Sequence, residues 1–154
     1  MDSSFLVSLY LTDSNSGLAR GRISGNPRLW LTPLHRAEWA HALARAEYRG
    51  VISAPESRQF YTEFTADQAR GLWVEVAMPE MAFETCVRLA QQHGPRLGPR
   101  TLDTLHIASA LELGAGRFWT FDERQAKLAR AVGLRVREST GRRNPLPLNQ
   151  KNVE

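Results

Sequence analysis

The chain of 154 residues has little cysteine and little lysine. Its one cysteine, Cys86, excludes an internal disulfide, and its helical surroundings (FETCVRLA) predict a buried thiol rather than a catalytic one. Lys127 and Lys151 are the only lysines, so arginine carries almost all of the positive charge. The formal net charge is +4 and the sequence pI is about 9.8, which suits a polyanionic partner without requiring one.

The sequence also lacks long apolar runs. No stretch is long enough to span a bilayer, the N-terminus has no signal-peptide pattern, and no glycine-rich phosphate loop is present. A content of 42% hydrophobic and 23% charged residues is typical of a globular domain. We therefore expect a cytoplasmic protein with one domain over residues 1–137, followed by a polar tail over residues 138–154.

Helical and strand patterns alternate along the chain. Apolar periodicity and capping residues predict helices near residues 3–11, 13–25, 33–49, 52–67, 79–93, 101–113 and 123–132. Short apolar runs predict strands near residues 28–31, 72–77, 118–121 and 134–137, and residues 94–100 are expected to form a loop. Strands that alternate with helices predict an α/β fold with a parallel sheet.

Two aspartates stand at the ends of predicted elements in the stretch RTLDTLHIASALELGAGRFWTFDERQ, which covers residues 100–125. Asp103 lies in the first turn of a helix that is apolar on nearly every face, and Asp122 follows a strand at the edge where α/β sheets carry ligands. Each also has a structural interpretation. The helix dipole stabilises a charge at Asp103, and Asp122 with Gln125 has the spacing of a reciprocal N-terminal cap.

Four acidic residues share this kind of position: Asp2, Glu38, Asp103 and Asp122. The strand-to-helix junctions of a parallel sheet meet at one edge, so acids distant in sequence can converge there. Clustered carboxylates repel each other unless a cation neutralises them, and hard divalent ions prefer oxygen ligands. Since the chain has 16 acidic residues, this pattern alone does not establish a metal site.

The segments around these acids carry a family resemblance. They are DSSFLVSLYL, TPLHRAEWAHAL, RTLDTLHIASALELGA and FWTFDERQAKLARAVGL. In order and spacing the chain resembles the PIN-domain ribonucleases, most closely the VapC toxins of bacterial type II toxin–antitoxin modules, over roughly residues 2–137. The resemblance implies a PIN-like three-layer α/β/α sandwich with a short parallel β-sheet flanked by helices.

The resemblance also implies a site and a reaction. Asp2 and Asp103 would be the principal ligands of Mg²⁺ or Mn²⁺, with Glu38 and Asp122 binding directly or through water. Thr120 and Ser4 would support the acids by hydrogen bonding, while Arg100 and Arg124 are weaker candidates for holding RNA phosphate, with solvated surface charge as the alternative. Metal-activated water would hydrolyse an RNA phosphodiester, leaving a 5′-phosphate and a 3′-hydroxyl.

The implied partners are RNA and protein. Members of the family cut transfer RNA or ribosomal RNA, form homodimers, and are silenced by a VapB-type antitoxin whose C-terminal segment crosses the acidic groove, often with an arginine. Two other functions stay open from the sequence. One is a non-toxin PIN-like nuclease acting in RNA processing or on structured DNA, and the other is a degenerate PIN-fold binding protein without catalysis.

The start of the chain departs from the family pattern, in which a short hydrophobic strand precedes the first aspartate. Here only Met1 does. Either the true start lies further upstream or most of this strand is missing, which would leave sheet edges unpaired and Asp2 on a loose terminus. Asp2 is therefore the least secure of the predicted ligands.

Histidines and tryptophans receive structural interpretations. His35, His41 and His106 lack the close spacing of transition-metal ligands, so we expect ordinary surface or partly buried side chains. The four tryptophans fall in strands or on a helix stripe and are expected in the core rather than on a base-stacking surface; they are Trp30, Trp39, Trp73 and Trp119.

Overall fold

Seven helices and four short strands alternate in the computed structural model, which describes residues 1–25 and 27–136. In chain order they are α1 (Ser3–Tyr10), α2 (Ser16–Ile23), β1 (Leu29–Leu31), α3 (Pro33–Tyr48), α4 (Ala54–Ala69), β2 (Trp73–Glu75), α5 (Ala82–Leu97), α6 (Thr101–Glu112), β3 (Arg117–Phe118), α7 (Glu123–Ala131) and β4 (Arg135–Val136). None of these helices is both long and apolar enough to cross a lipid bilayer. The predicted tail, residues 138–154, lies outside the described residues.

The strands pair in two parallel ladders. In the first, β1 pairs with β2, and Trp30 stands opposite Val74. In the second, β3 pairs with β4, and Phe118 stands opposite Val136. Three of the four strands lead into helices, so the predicted α/β fold, with a short parallel sheet flanked by helices, is confirmed.

A groove of about 400 Å³ separates the two ladders, which share no strand pairing within the described residues. Its walls include Trp30 of β1, Arg117 of β3 and His106 of α6, and Met1 also borders it. The expectation that all four tryptophans lie in the core is therefore wrong for Trp30, whose residue is 40% exposed. Among the residues that the structure describes, no strand lies beside this ladder on the groove side, and this leaves Trp30 exposed.

The core consists of two hydrophobic clusters. One joins α5, α6, β3 and α7, and its fully buried side chains include Ile107, Phe118 and Leu128. The other joins α1, α3, α4 and both strands of the first ladder, with Trp39 stacked on Phe64 at a ring separation of 5.7 Å. The prediction of a buried α6 is confirmed for residues 104–110, all of which are buried.

Several predicted boundaries and exposures are wrong. Helix α5 continues through Gly94 and Pro95 to Leu97, although Pro95 has no N–H to donate to the carbonyl oxygen of Gln91. Leu97 packs against the first cluster, which supports this last turn. Gly98 then ends the helix in the left-handed conformation, at φ +57°. Leu102 lies in the first turn of α6 and is 46% exposed, so the expectation that it is buried is wrong.

Candidate active site

Asp2 is fixed in place by four hydrogen bonds. Its backbone N–H donates to the carbonyl oxygen of Trp119 at 2.9 Å, and its Oδ1 accepts from the N–H of Phe5 at 2.9 Å, which caps α1. Its Oδ2 accepts from Ser4 Oγ at 2.7 Å and from Thr120 Oγ1 at 2.8 Å. Asp2 is only 5% exposed, so the expectation of a loose terminus at this residue is wrong.

Thr120 connects two of the acids. While its hydroxyl donates to Asp2, the same oxygen accepts from the N–H of Asp122 at 2.9 Å. Asp122 Oδ1 accepts from the N–H of Gln125 at 2.9 Å, so Asp122 caps α7 as predicted. The reciprocal half of the predicted cap is wrong, because the buried Gln125 amide donates to the backbone oxygen of Asp103 instead, at 3.1 Å.

A guanidinium group lies between Asp103 and Asp122. Arg100 Nε is 2.9 Å from Oδ2 of Asp103, and its Nη2 is 3.3 Å from Oδ1 of Asp103 and 3.9 Å from Oδ2 of Asp122. The hydrogen bonds to Asp103, followed by its charge, raise the pKa of Arg100, with smaller contributions from Asp122 and Glu38. Arg100, a weaker candidate for holding RNA phosphate, thus faces the acids, whereas Arg124 is exposed at the start of α7.

Glu38 is reached from two other helices. Its Oε2 accepts from Ser3 Oγ at 2.6 Å and from His106 Nε2 at 2.5 Å. Burial alone would raise the pKa of the Glu38 carboxyl, but these hydrogen bonds and the nearby His106 and His35 bring the pKa below its usual value. The ionised carboxylate is therefore the favoured form at this position.

Two histidines lie behind Glu38. His35 and His106 are each 4% exposed, and their rings meet edge to face at 4.5 Å between centroids. His35 Nδ1 accepts from the N–H of Thr32 at 3.1 Å, so its Nε2–H donates to the carbonyl oxygen of Met1 at 3.0 Å. The sequence analysis assigned these histidines no role in the site. The feature that could have indicated one is the position of His106 on an otherwise apolar helix.

A depression of about 480 Å³ opens beside Glu38 and Asp122. Glu38, Asp122 and the α1 serines Ser3 and Ser4 line it, and so does Asp13, which sequence reasoning did not single out. The Asp13 carboxylate accepts hydrogen bonds from Ser8, Ser16 and the N–H of Asn15. Burial alone would raise the pKa of Asp13, but these hydrogen bonds bring it below its usual value. Asp13 stabilises the turn between α1 and α2.

The chemistry of these side chains fits a hard divalent cation, because Asp2, Glu38, Asp103 and Asp122 offer only oxygen atoms. Among residues 1–25 and 27–136, no group of three or more His, Cys, Asp or Glu side chains stands close enough to hold an ion. Arg100 lies between two of these acids, Asp103 and Asp122. A divalent ion at this place requires that Arg100 turn outward, and its side chain is mostly exposed.

The fold is an α/β domain in which Thr120 connects Asp2 with Asp122, and Arg100 lies between Asp103 and Asp122. The PIN domain model matches residues 1–131, and the chain belongs to the PIN domain family. PIN domains are generally nucleases, a class of hydrolases. No curated protein matches the chain.

Proposed function

We propose that this PIN domain is a Mg²⁺- or Mn²⁺-dependent endoribonuclease and the toxin of a type II toxin–antitoxin module. The family match supports a nuclease in general, and the VapC-like segments around the four acids support the toxin subtype. RNA, either transfer RNA or ribosomal RNA, is the proposed substrate, and the proposed location is the cytoplasm.

The observation that carries this proposal is the position of Arg100. One guanidinium contacts Asp103 and faces Asp122, and its pKa is raised by both acids and by Glu38. The carboxyl edge of the sheet therefore stabilises positive charge at one point. Asp103, Asp122, Glu38 and Asp2 would hold a divalent ion there, and that ion would activate water and neutralise charge on the phosphate.

The protein's own groups have separate tasks in this mechanism. Asp2, fixed by Phe5, Ser4 and Thr120, gives the site a rigid edge. Glu38, ionised and partly open to the depression, would bind the ion through water and accept the proton of the attacking water. Arg100, once released from Asp103, would contact the phosphate of the RNA.

The partner in the proposed module is a VapB-type antitoxin, with the toxin itself a homodimer. The contacts of Arg100 support an antitoxin as the partner, because a guanidinium group fits between the carboxylates of Asp103 and Asp122. An arginine of the antitoxin's C-terminal segment would occupy the same place and exclude the cation. No membrane partner is proposed.

The test is cleavage of transfer RNA and ribosomal stem-loops with and without Mg²⁺ or Mn²⁺, with the chemistry of the new ends determined. We expect metal-dependent cuts that leave 5′-phosphates. Asp103→Asn should lower the rate by more than about 100-fold, since even residues behind metal ligands often cost 10- to 100-fold. Glu123→Gln, an exposed acid beside Asp122, is the matched control and should cleave normally.

Two outcomes would redirect the proposal. RNA cleavage that a neighbouring small antitoxin gene product does not suppress would indicate a PIN-like nuclease of another class. RNA binding without cleavage, in every metal tested, would indicate a PIN-fold binding protein.

A further inference from the structure

Within the described part of the chain, hydrogen bonds hold Glu38 through one of its two carboxylate oxygens. Ser3 and His106 both donate to Oε2, at 2.6 and 2.5 Å. Oε1 makes no hydrogen bond or ion pair with any residue that the structure describes. Because Glu38 borders the depression over the site, one oxygen is fixed and the other is available to a ligand.

The two donors belong to elements that also carry the other acids. Ser3 is the first residue of α1 and follows Asp2 directly, whereas His106 lies on α6 one turn beyond Asp103. Both donors are buried, and His106 is backed by the ring of His35. The position of Glu38 relative to Asp2 and Asp103 is therefore set by these two hydrogen bonds.

The contacts of His106 also select its tautomer. Its Nδ1 is buried and has no hydrogen-bond partner within the described part of the chain. A hydrogen on Nδ1 alone would leave a buried donor without an acceptor and remove the donor that Glu38 needs. The tautomer with its hydrogen on Nε2 is therefore favoured.

We propose that Ser3 and His106 are positioning residues of the nuclease site, which fix Oε2 of Glu38 so that Oε1 is presented to the cation or the attacking water. The catalytic consequence rests on the proposed function. The arrangement of hydrogen bonds does not rest on the proposed function, and it can be tested on the protein without metal or RNA.

The first experiment is nitrogen–proton correlation NMR of the histidine rings in the metal-free protein. We expect His106 to carry its hydrogen on Nε2. Because Ser3 Oγ also lies 3.2 Å from this nitrogen, the double variant Ser3→Ala, Glu38→Ala should remove that preference while His35 keeps its own Nε2 hydrogen. A hydrogen on Nδ1 of His106 in the unaltered protein, or an unchanged spectrum in the double variant, would overturn the proposal.

The second experiment measures Mn²⁺ affinity by calorimetry and RNA cleavage in four variants. His106→Leu should lose about 10- to 100-fold in Mn²⁺ affinity or kcat with little change in KM, as expected for a residue behind a ligand. His106→Gln, which keeps a donor near the position of Nε2, should recover most of this loss. Ser3→Ala, which removes one of the two donors, should show a smaller loss.

The matched control is His41→Leu, an exposed histidine on the same helix as Glu38. If His106→Leu and Ser3→Ala both behave like His41→Leu, the positioning role is excluded. If His106→Leu does not fold, Ser3→Ala and His106→Gln decide the question. Should the unaltered protein neither bind Mn²⁺ nor cleave RNA, the nuclease proposal fails, while the NMR result still decides the hydrogen-bond arrangement.

Discussion

His35 shows how burial changes a single residue. Burial, followed by the neighbouring His106 and the N-terminal amine, lowers the pKa of His35 to about 3. The ring is therefore uncharged at neutral pH, with Nδ1 accepting from Thr32 and Nε2 donating to Met1. In the unfolded chain the same side chain has a pKa of about 6.5 and binds a proton more readily.

This difference predicts a loss of stability in acid. Between pH 6.5 and about 3 the unfolded state binds the proton and the folded state does not, so the free energy of unfolding falls as the pH falls. From pH 8 to pH 5 we expect His35 to contribute a loss of about 2 kcal/mol. His35→Gln, which cannot titrate, should lack this contribution.

Urea unfolding of the unaltered protein and of His35→Gln at several pH values measures this contribution of His35 to the free energy of unfolding. The lowered pKa of the Met1 amine, to about 6, also reduces stability as the pH falls from 8, but both proteins share that effect. His41→Gln, with an exposed side chain, controls for the loss of an imidazole. Parallel pH curves for His35→Gln and the unaltered protein would show that His35 is not responsible.

At the scale of elements, Tyr10 ties α1 to α4 and β2. Its hydroxyl donates to Asp67 Oδ2 at 2.7 Å and accepts from the buried Trp73 Nε1–H at 2.8 Å. Burial, together with the hydrogen bond to Asp67, raises the pKa of Tyr10, so the hydroxyl stays protonated and keeps its donor role.

Tyr10→Phe should lower the free energy of unfolding by about 1–3 kcal/mol, because it leaves the Trp73 N–H buried without an acceptor. Tyr48→Phe is the matched control, since Tyr48 is 92% exposed, and it should change stability by less than about 0.5 kcal/mol. Denaturant unfolding compares the two directly. Equal stability of the two variants would mean that the Tyr10 hydroxyl does not join these elements.

The elements themselves were largely predictable because their signals are local. Thr32 and Pro33 mark the start of α3, and Gly114, in the left-handed conformation, follows the end of α6. The end of α5 was not predictable, because a proline usually predicts that a helix has ended, whereas Pro95 falls in the last turn of this helix. The side chain of Gln125 was not predictable either, since its partner on α6 is a tertiary contact that outweighs the local cap.

At the scale of the whole molecule, the parallel topology predicts that the acids meet at one edge of the sheet, but it does not predict the residues that connect them. Glu38 and His106 are 68 positions apart in sequence, and Thr120 and Asp2 are 118 apart. No spacing rule predicts such pairs, because they depend on how α1, α3 and α6 pack. The groove between the two ladders is likewise a property of the assembled sheet, and nothing in the pattern of one strand signals it.

The central claim is that four acids from separate elements share one divalent-cation site. The measurement that tests it most directly is calorimetric titration of the protein with Mn²⁺. We expect Mn²⁺ binding that Asp103→Asn and Asp122→Asn both abolish and that Glu123→Gln leaves intact. If the unaltered protein binds no Mn²⁺ at millimolar concentration, or if the two aspartate variants bind as it does, the claim is wrong.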